Sequence, residues 1–178
     1  MSKRLRLNKG SGTIYYVLGK YNEIVKCDIG EGTTIWSYNS LIRCKIGKNC
    51  NITSYIQIND GAEIGDNCNL QPYVLINSDV KIGNNVFIAG GVQFTDIKYP
   101  DIEKPVKKEP VIVGDNVIIG NGAILIAGIK VGDGAVIGAG TVVTRDVPPN
   151  SVWAGTPARR FYTRAEYDEK KRKHEDEV

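Results

Sequence analysis

Aliphatic residues recur at every sixth position along most of the chain. One series begins at Ile46, and a second begins at Val113 after an interruption. The members of the two series are Ile46, Ile52, Ile58, Ile64, Leu70, Ile76, Ile82, Ile88, Val113, Ile119, Leu125, Val131, Ile137 and Val143. The residue four positions after each of them, from Cys50 to Val147, is also apolar or small. Two inward positions in each hexad do not form a helical stripe, so the pattern predicts short β-strands and excludes a helical bundle.

Glycine and asparagine indicate a corner within many of these hexads. Glycine often follows the aliphatic residue directly, and Asn or Gly stands two positions later at Gly32, Asn49, Asn67, Asn85, Asn116, Gly122, Gly134 and Gly140. Both residue types tolerate a positive φ, so each such hexad is predicted to turn. Gly47, Gly65 and Gly83 recur at every third hexad, which makes three hexads one coil. We therefore predict an all-β, triangular parallel β-helix with coils about 4.8 Å apart.

The four cysteines are predicted to be structural. Cys50 and Cys68 are separated by three hexads, the length of one coil, and should stack in the lumen of the helix. Cys27, Cys44, Cys50 and Cys68 show no C-x-x-C spacing and have no histidine nearby. A zinc site is therefore not expected, and we expect reduced, buried thiols.

One segment, residues 94–112, leaves the repeat. It reads F-T-D-I-K-Y-P-D-I-E-K-P-V-K-K-E-P-V-I, with three prolines, four lysines and four acidic residues. A packed wall cannot hold this composition, so we predict an extruded loop. Loops on a rigid scaffold tend to carry function, although a neutral surface insertion is the alternative.

The C-terminal part is predicted to leave the β-helix at Pro148–Pro149, because proline cannot donate to the strand ladder. Thr163 and Glu166 have the spacing of a capping box and predict a short, charged helix. The expected organisation is an N-terminal cap at 1–23, a β-helix at 24–148, and a C-terminal segment and helix at 149–178. The cap and the C-terminal helix are expected to cover the two ends.

Composition excludes several classes of protein. The net charge of +3 comes from interspersed charges without a basic stripe, so nucleic-acid binding is not expected. The chain has no apolar run of eighteen or more residues, so no membrane span is predicted. The basic N-terminus is not followed by an apolar stretch, as a signal peptide would require. The expectation is a cytoplasmic protein.

Together these features resemble the hexapeptide-repeat acyltransferases. The resemblance rests on the hexads, the single loop, I-G-A-G-T-V-V-T-R-D-V-P-P at 137–149 and W-A-G-T-P-A-R at 153–159, and it covers roughly residues 24–162. Within the family, residues 35–100 are most similar to N-acetyltransferases that modify nucleotide-linked amino sugars, which supply surface-polysaccharide and glycan precursors. The local matches are I-W-S-Y at 35–38, F-T-D at 94–96 and the nearby Pro100.

The resemblance implies a left-handed helix, a homotrimer, and acetyl-CoA bound in a groove between subunits, with no metal. Carried over position by position, it implies that the backbone at Asn121 and Ala139 meets the pantetheine arm. It also implies that Thr144-Arg145 and Arg159 hold the nucleotide end, with Arg160 as a further phosphate contact. Guanidinium groups suit phosphates in charge and geometry, and ordinary surface charge is the alternative for these arginines.

The chain lacks the loop histidine that many relatives use as a general base. Its single histidine, His174, lies in the charged tail, and Tyr99-Pro100 stands where galactoside-type relatives have His-Pro. A tail residue is a poor base, because a base must reach its proton at hydrogen-bond distance. An amine is already nucleophilic once neutral and needs mainly positioning. The missing histidine therefore favours N-acetylation over O-acetylation.

Asp96 and Tyr99 on the loop are the candidates for orienting the acceptor amine. Asn69, Gln71 and Asn77, which precede the loop, are the candidates for binding the acceptor. Related sugar enzymes often have Gln-Asn-Asn where this chain has Q-P-Y at 71–73, so one acceptor contact is replaced. Two alternatives stay open, namely that Asp96 only caps the loop and that Asn77 is only a corner residue.

Three other functions compete with the sugar N-acetyltransferase. The main alternative is an O-acetyltransferase of the galactoside, maltose or serine type, with Asp96 or Tyr99 as the base. A non-catalytic assembly module is disfavoured by the G-T-P-A-R segment and the long loop. A β-helical carbonic anhydrase would need three zinc-binding histidines, and the chain has one.

Overall fold

The chain folds as a left-handed parallel β-helix followed by a helix, in a computed structural model that describes residues 16–17 and 19–177. Most strands contain two residues. The first eleven are β1 (Tyr16–Val17), β2 (Glu23–Val25), β3 (Asp28–Ile29), β4 (Thr34–Ile35), β5 (Ser40–Ile42), β6 (Lys45–Ile46), β7 (Asn51–Ile52), β8 (Gln57–Ile58), β9 (Glu63–Ile64), β10 (Asn69–Leu70) and β11 (Leu75–Ile76). The others are β12 (Lys81–Ile82), β13 (Phe87–Ile88), β14 (Gln93–Phe94), β15 (Ile112–Val113), β16 (Ile118–Ile119), β17 (Ile124–Leu125), β18 (Lys130–Val131), β19 (Val136–Ile137), β20 (Val142–Val143), β21 (Ser151–Ala154) and β22 (Arg159–Thr163). The helix α1 spans Arg164–Asp176.

Three sheets form the faces of the triangular cross-section. Sheet A runs β1-β4-β7-β10-β13-β16-β19-β21-β22, sheet B runs β2-β5-β8-β11-β14-β17-β20, and sheet C runs β3-β6-β9-β12-β15-β18. Each strand pairs in parallel with its counterparts one coil away, so that Leu70 lies opposite both Ile52 and Ile88. We call the three edges the A–B, B–C and C–A corners after the sheets that they join.

The predicted inward residues fill the lumen. All members of the two aliphatic series are buried, and so are the residues four positions after them. The prediction of buried cysteines is confirmed for Cys44, Cys50 and Cys68, whereas Cys27 is half-buried. Cys50 and Cys68 stack as predicted, with the Cys68 N–H donating to Cys50 Sγ at 3.4 Å. The lumen is therefore a mainly apolar core that burial of apolar surface stabilises.

The corner residues have the predicted backbone conformation. All eight Asn and Gly positions that the hexads indicated have a positive φ. At the C–A corner, side-chain carboxyl and amide oxygens also accept backbone N–H groups from the preceding coil. Asp133 Oδ1 accepts the N–H of Asp115 at 2.9 Å, and Asp66 Oδ1 accepts that of Lys48 at 2.7 Å. These bonds satisfy corner amides that the strand ladders leave free.

The length of each coil explains why the repeat is loose near its start. Thr34 pairs with Asn51, and Asn51 pairs in turn with Asn69, so the earlier of these two coils is shorter by a single position. Ile29, Ile35 and Leu41 are six residues apart, but Leu41 and Ile46 are only five apart, so the repeat slips there by one position while the lumen residues stay aligned. Phe87 pairs with Ile118 across the loop, because the loop is inserted within that coil.

Two boundaries differ from the prediction. Phe94 is fully buried in β14 and Ile112 belongs to β15, so the loop comprises residues 95–111 rather than 94–112. At the N-terminal end, β1 already pairs with β4, so residues 16–17 are part of the β-helix and not of a separate cap. The rest of the predicted cap up to residue 15 lies outside the described residues.

The coils do not end at Pro148–Pro149, and that prediction was wrong. The strand β21 follows these prolines and pairs in parallel with β19, which extends sheet A by one strand. Pro149 lies at the C–A corner against Gly132, where the main chain turns between strands and no ladder donor is needed. The antiparallel strand β22 then covers β21.

The lumen is closed at this end by Trp153 rather than by the C-terminal helix. Trp153 is buried opposite Ile137, and its Nε1 donates to Ser151 Oγ at 3.0 Å.

The capping box of α1 is confirmed, with Thr163 as N-cap and Glu166 at the third helical position. Arg164 fastens the helix start to the C–A corner by donating to the Gly134 carbonyl at 3.1 Å. No residue of α1 is buried. Within the described chain, this helix is too short and too polar to cross a membrane.

Replacing a lumen residue should destabilise the fold far more than replacing its outward neighbour. Ile58 is fully buried in β8, and the adjacent Gln57 is exposed. We expect Ile58→Ala to lower the free energy of unfolding by about 2 to 5 kcal/mol, since it leaves a cavity in a packed core. Gln57→Ala should change it by less than about 0.5 kcal/mol. Urea unfolding followed by circular dichroism measures both, and equal effects would contradict the assigned register.

Candidate functional site

The A–B corner changes character along the β-helix. Its positive-φ positions are tyrosine in the early coils and glycine in the later ones. The tyrosines, which we call the tyrosine ladder, are Tyr21, Tyr38, Tyr55 and Tyr73. The glycines, which we call the glycine track, are Gly91, Gly122 and Gly140. The sequence analysis missed the ladder, although its tyrosines recur once in every coil and so follow the same period as the lumen residues.

The glycine track is a strip of the surface that no side chain covers. A Cβ atom added at Gly122 or Gly140 would meet no described atom within 4 Å. The N–H of Gly140 donates to the Asn121 carbonyl at 2.7 Å, so consecutive corners are tied together. Asn121 and Ala139, the predicted pantetheine contacts, are exposed directly beside the track. The strip can therefore receive an extended ligand that lies along the helix axis.

The end of the track is covered by the G-T-P-A-R turn. Thr156 Oγ1 donates to the Gly140 carbonyl at 3.2 Å. Arg159 and Arg160, the first two residues of β22, follow this turn and are exposed. These two guanidinium groups can neutralise an anionic ligand at this end of the track.

The predicted contacts Thr144 and Arg145 lie at a different corner. They follow β20 of sheet B and are exposed at the last B–C corner. The guanidinium carbon of Arg145 lies 5.4 Å from the centre of the Trp153 ring, a cation–π distance. Arg145 therefore already has a partner in its own chain, whereas Thr144 is open to solvent.

The loop 95–111 leaves the helix at the B–C corner and is fastened at its root. The Glu109 N–H donates to the Asp96 carbonyl at 2.7 Å, and Gly128 donates to the Glu109 carbonyl at 2.7 Å. Thr95 Oγ1 accepts the N–H of Ala127 at 2.8 Å. Because both arms of the loop are bonded to each other or to the next coil, its root is held rigidly.

The two predicted catalytic residues differ in how firmly the loop holds them. The Asp96 side chain is 14% exposed, and its Oδ2 lies 3.8 Å from Lys108 Nζ on the opposite arm of the loop. Tyr99 projects from the loop and is 77% exposed, with Lys98 Nζ 5.8 Å from its ring centre. Asp96 is therefore the better positioned of the two for holding a substrate group.

The predicted acceptor-binding residues divide between the two corners. Asn69 and Gln71 lie beside the A–B corner, where Gln71 Nε2 donates to Asn69 Oδ1 at 2.8 Å. Asn77 lies at the B–C corner one coil before Thr95, and its Oδ1 accepts from Asn59 Nδ2 at 3.0 Å. Each of these amides is thus held by another amide and keeps spare hydrogen-bonding capacity for a ligand.

Within one chain, the loop residues and the glycine track do not meet. Asp96, Tyr99 and Asn77 belong to the B–C corner, whereas Gln71, Asn121 and Ala139 belong to the A–B corner. The full width of sheet B separates the two groups. A site that uses both groups must therefore combine the A–B corner of one chain with the B–C corner of another.

A broad groove of about 870 Å³ lies elsewhere, along sheet C and the C–A corner. A column of charges lines it, in which Glu63 lies 2.6 Å from Lys81 and 3.5 Å from Lys45. The hydrogen bond from Lys81 and the two positive charges lower the pKa of the Glu63 carboxyl. These charges satisfy one another, and the groove contains none of the predicted catalytic residues.

Family models match the coils on both sides of the loop. A model described as bacterial transferase hexapeptide (six repeats) matches residues 43–78 and 61–96. A second model, hexapeptide repeat of succinyl-transferase, matches residues 110–145, and the two together cover about half of the chain. The chain belongs to the hexapeptide-repeat transferases.

Among curated relatives, this hexapeptide-repeat transferase is similar to 2,3,4,5-tetrahydropyridine-2,6-dicarboxylate N-acetyltransferase from Halalkalibacterium halodurans. The two are 59% identical over 56 residues, which is 32% of this chain and 23% of the relative. The chain thus spans about a quarter of the length of the curated relatives that it matches.

Two solved structures show the same fold. Soybean serine acetyltransferase is 35% identical, with a TM-score of 0.53 over 60% of this chain and 43% of that one. A mutant of AntD, an N-acyltransferase from Bacillus cereus solved with dTDP and coenzyme A, is 18% identical. Its TM-score is 0.62 over 92% of this chain and 89% of that one. At 18% identity, the second likeness is one of fold.

Proposed function

We propose that this hexapeptide-repeat transferase is an acetyl-CoA-dependent N-acetyltransferase that acts on the amino group of a nucleotide-linked amino sugar. The observation that carries this proposal is the glycine track, a cleared strip that ends at the exposed arginines of the G-T-P-A-R turn. The similarity of this chain to N-acetyltransferases and serine acetyltransferases supports acetyl-CoA as the donor. The AntD structure adds support, since a protein of this fold was solved with coenzyme A.

In this proposal, acetyl-CoA lies along the glycine track of one subunit. Backbone groups at Asn121 and Ala139 bind the pantetheine arm, because no side chain at Gly122 or Gly140 obstructs them. Arg159 and Arg160 bind the phosphates of the nucleotide end, and Thr144 and Arg145 join them from the B–C corner of the adjoining subunit. The thioester then points back along the track towards Gly91 and the early coils.

The loop residues come from a neighbouring subunit in a homotrimer whose sheet B faces the threefold axis. Sheet B carries partly exposed apolar side chains on its outer surface, namely Leu75, Ile124 and Val142. Sheet C instead carries the Lys45, Glu63 and Lys81 column, which suits water. With sheet B inward, the A–B corner of each subunit adjoins the B–C corner of the next, as closed cyclic symmetry requires.

The acceptor end of the track suits an uncharged, hydroxyl-bearing ring better than a dicarboxylate. Residues 69–75 and 87–93, the two coil segments at this end, contain no charged side chain. Asn69 and Gln71 offer amides that match sugar hydroxyls. Lys98, Lys104 and Lys107 of the loop, at the edge of the proposed site, suit the diphosphate of a nucleotide sugar, whereas Lys108 pairs with Asp96.

The reaction needs positioning more than proton abstraction. The neutral amine attacks the thioester carbonyl, the new C–N bond forms and the C–S bond breaks. The departing coenzyme A thiolate takes the proton that the nitrogen loses. Asp96 accepts a hydrogen bond from the amine and orients it, and Tyr99 contacts the sugar. Orientation of two bound reactants supplies much of the reduction in barrier.

O-acetylation is the second candidate, because the solved serine acetyltransferase resembles this chain at 35% identity. Asp96 would then have to act as the general base. An acceptor panel distinguishes the two reactions, since an N-acetyltransferase loses its rate when hydroxyl replaces the acceptor amine. An unchanged rate with the hydroxyl analogue would favour O-acetylation.

A thiol-release assay tests the proposed activity. Acetyl-CoA is mixed with a panel of 3-amino and 4-amino dideoxy sugar nucleotides, and free coenzyme A is followed with a thiol reagent. We expect release with at least one acceptor, and a loss of at least tenfold in kcat/KM in Asp96→Asn and in Arg159→Ala. The Arg159 change should act on the KM for acetyl-CoA. Full activity in both variants would contradict the site assignment.

The glycine track gives a second prediction with a matched control. Asparagine tolerates a positive φ, so Gly122→Asn should fold normally and place an amide in the track. We expect its KM for acetyl-CoA to rise at least tenfold. The control is Gly134→Asn at the C–A corner, where Asn116 and Asn150 stand in the coils on either side and the Asn150 side chain must shift to admit the new Cβ. If both variants bound acetyl-CoA like the parent protein, the track would not be the donor site.

Subunit sharing predicts complementation. Asp96→Asn and Gly122→Asn should each be defective alone. In randomly mixed trimers, about a quarter of the sites should combine the intact track of an Asp96→Asn chain with the intact loop of a Gly122→Asn chain, and these sites should be active. Coexpression with different affinity tags and the thiol assay measure this recovery. No recovery would mean that one chain builds the whole site.

The face that makes the trimer can be tested separately. Ile124→Glu should shift the mass measured by light scattering from a trimer towards the 19.5 kDa monomer, because it buries a charge against sheet B of the neighbours. Lys130→Glu on sheet C, close to Ile124 in the chain, should leave the trimer intact. Dissociation by Lys130→Glu alone would place the interface on sheet C instead.

A further inference from the structure

The tyrosine ladder places a bulky aromatic residue where the backbone disfavours one. Tyr21, Tyr38, Tyr55 and Tyr73 have φ values of 61°, 64°, 61° and 66°. The left-handed region costs a residue with a side chain roughly 1 to 2 kcal/mol, and glycine avoids that cost. Later coils of the same corner use glycine. Lys26, Arg43 and Asp79 adopt the same conformation at the B–C corner, so a positive φ is common to the corners of this fold. The turn at the A–B corner nevertheless does not require tyrosine, because glycine makes it in the later coils.

The four rings form a regular stack along the helix axis. Successive ring centres are 5.2, 5.0 and 5.1 Å apart, with interplanar angles of 17°, 2° and 9°. These distances match the coil spacing of about 4.8 Å, so the nearly parallel rings follow one another coil by coil. Each inner ring has both faces covered by its neighbours. The contact with Tyr55 fixes the orientation of the last ring, that of Tyr73.

Tyr73 has one open face, and this face looks along the glycine track. Tyr55 stacks on the other side, and the equivalent position in the next coil is Gly91, which has no side chain. The Gly91 N–H donates to the Pro72 carbonyl at 2.9 Å, which holds the two coils in register. Tyr73 is 64% exposed in the single chain. A rigid aromatic platform thus closes the track at the end opposite Arg159.

We infer that the open face of Tyr73 is the platform on which the pyranose ring of the acceptor stacks, and that it determines specificity for a cyclic sugar acceptor. This inference rests on the proposed function, which places the thioester at this end of the track. The apolar face of a pyranose suits an aromatic ring, while its hydroxyls reach the amides of Asn69 and Gln71 beside the platform. Tyr73 is a binding residue here and takes no part in proton transfer.

The test separates acceptor binding from donor binding. With acetyl-CoA and a UDP-linked 4-amino-4,6-dideoxyhexose, Tyr73→Leu should raise the acceptor KM about tenfold, the loss expected for one stacking contact. Its KM for acetyl-CoA should stay within about twofold, because the glycine track is unaltered. Tyr73→Phe keeps the ring and should behave like the parent protein. The matched control is Tyr38→Leu, which removes an inner ring two coils away and should leave both KM values unchanged.

Calorimetric titration with the same UDP-sugar, and with UDP alone, completes the test. Weaker binding of the UDP-sugar to Tyr73→Leu, with unchanged binding of UDP, supports stacking on the sugar. An equal loss for UDP alone would assign the platform to the base and overturn the inference. So would an unchanged acceptor affinity in Tyr73→Leu, or no binding of the UDP-sugar to the parent protein. Binding that depends on Tyr73 without thiol release would refute the proposed reaction but not the platform.

Discussion

The parallel main-chain ladder between successive coils is the constraint on which the rest of this structure depends. Each strand is too short to be stable alone, and it is held only because the coils on either side pair with it. Leu70 lies opposite Ile52 and Ile88, and the same registration repeats around the triangle. A residue's place within its coil therefore decides whether it lies in the lumen, on a face or at a corner. A residue type that recurs once per coil along the chain therefore forms a column in the structure, with successive members about 4.8 Å apart.

Different columns carry different tasks. The lumen columns supply the apolar burial, and the Asp and Asn column at the C–A corner satisfies backbone amides, as Asp133 does for Asp115. The charged column of sheet C keeps that face in water. The A–B corner changes along its length, from stacked tyrosines to bare glycines. Both tyrosine and glycine make the turn at this corner, so folding does not dictate the choice between them, and we attribute the change to ligand binding.

The loop shows how an insertion is accommodated without loss of register. Lys81 and Ile112 pair although they lie 31 residues apart, 13 more than the 18 of a regular coil, so the coil closes as if those extra residues were absent. The bonds of Asp96 and Glu109 at the loop root keep the insertion from disturbing the lumen. This arrangement fixes the loop at one edge of sheet B while the glycine track occupies the other. The loop and the glycine track can meet only between subunits, because one rigid β-helix cannot bring two of its own corners together.

The sequence by itself determined the features that depend on local periodicity. Lumen residues such as Ile58 and Cys68, the corner at Asn67 and the capping box of Thr163 could all be read from spacing, because burial and φ follow directly from position in the hexad. Three features were decided only by the tertiary structure. β21 continues sheet A after Pro149 because that proline falls at a corner. Trp153 reaches the lumen end because β21 places it over Ile137. Tyr73 has an open face because the equivalent position in the next coil is Gly91, which has no side chain. Only the pairing of the coils makes these two residues neighbours.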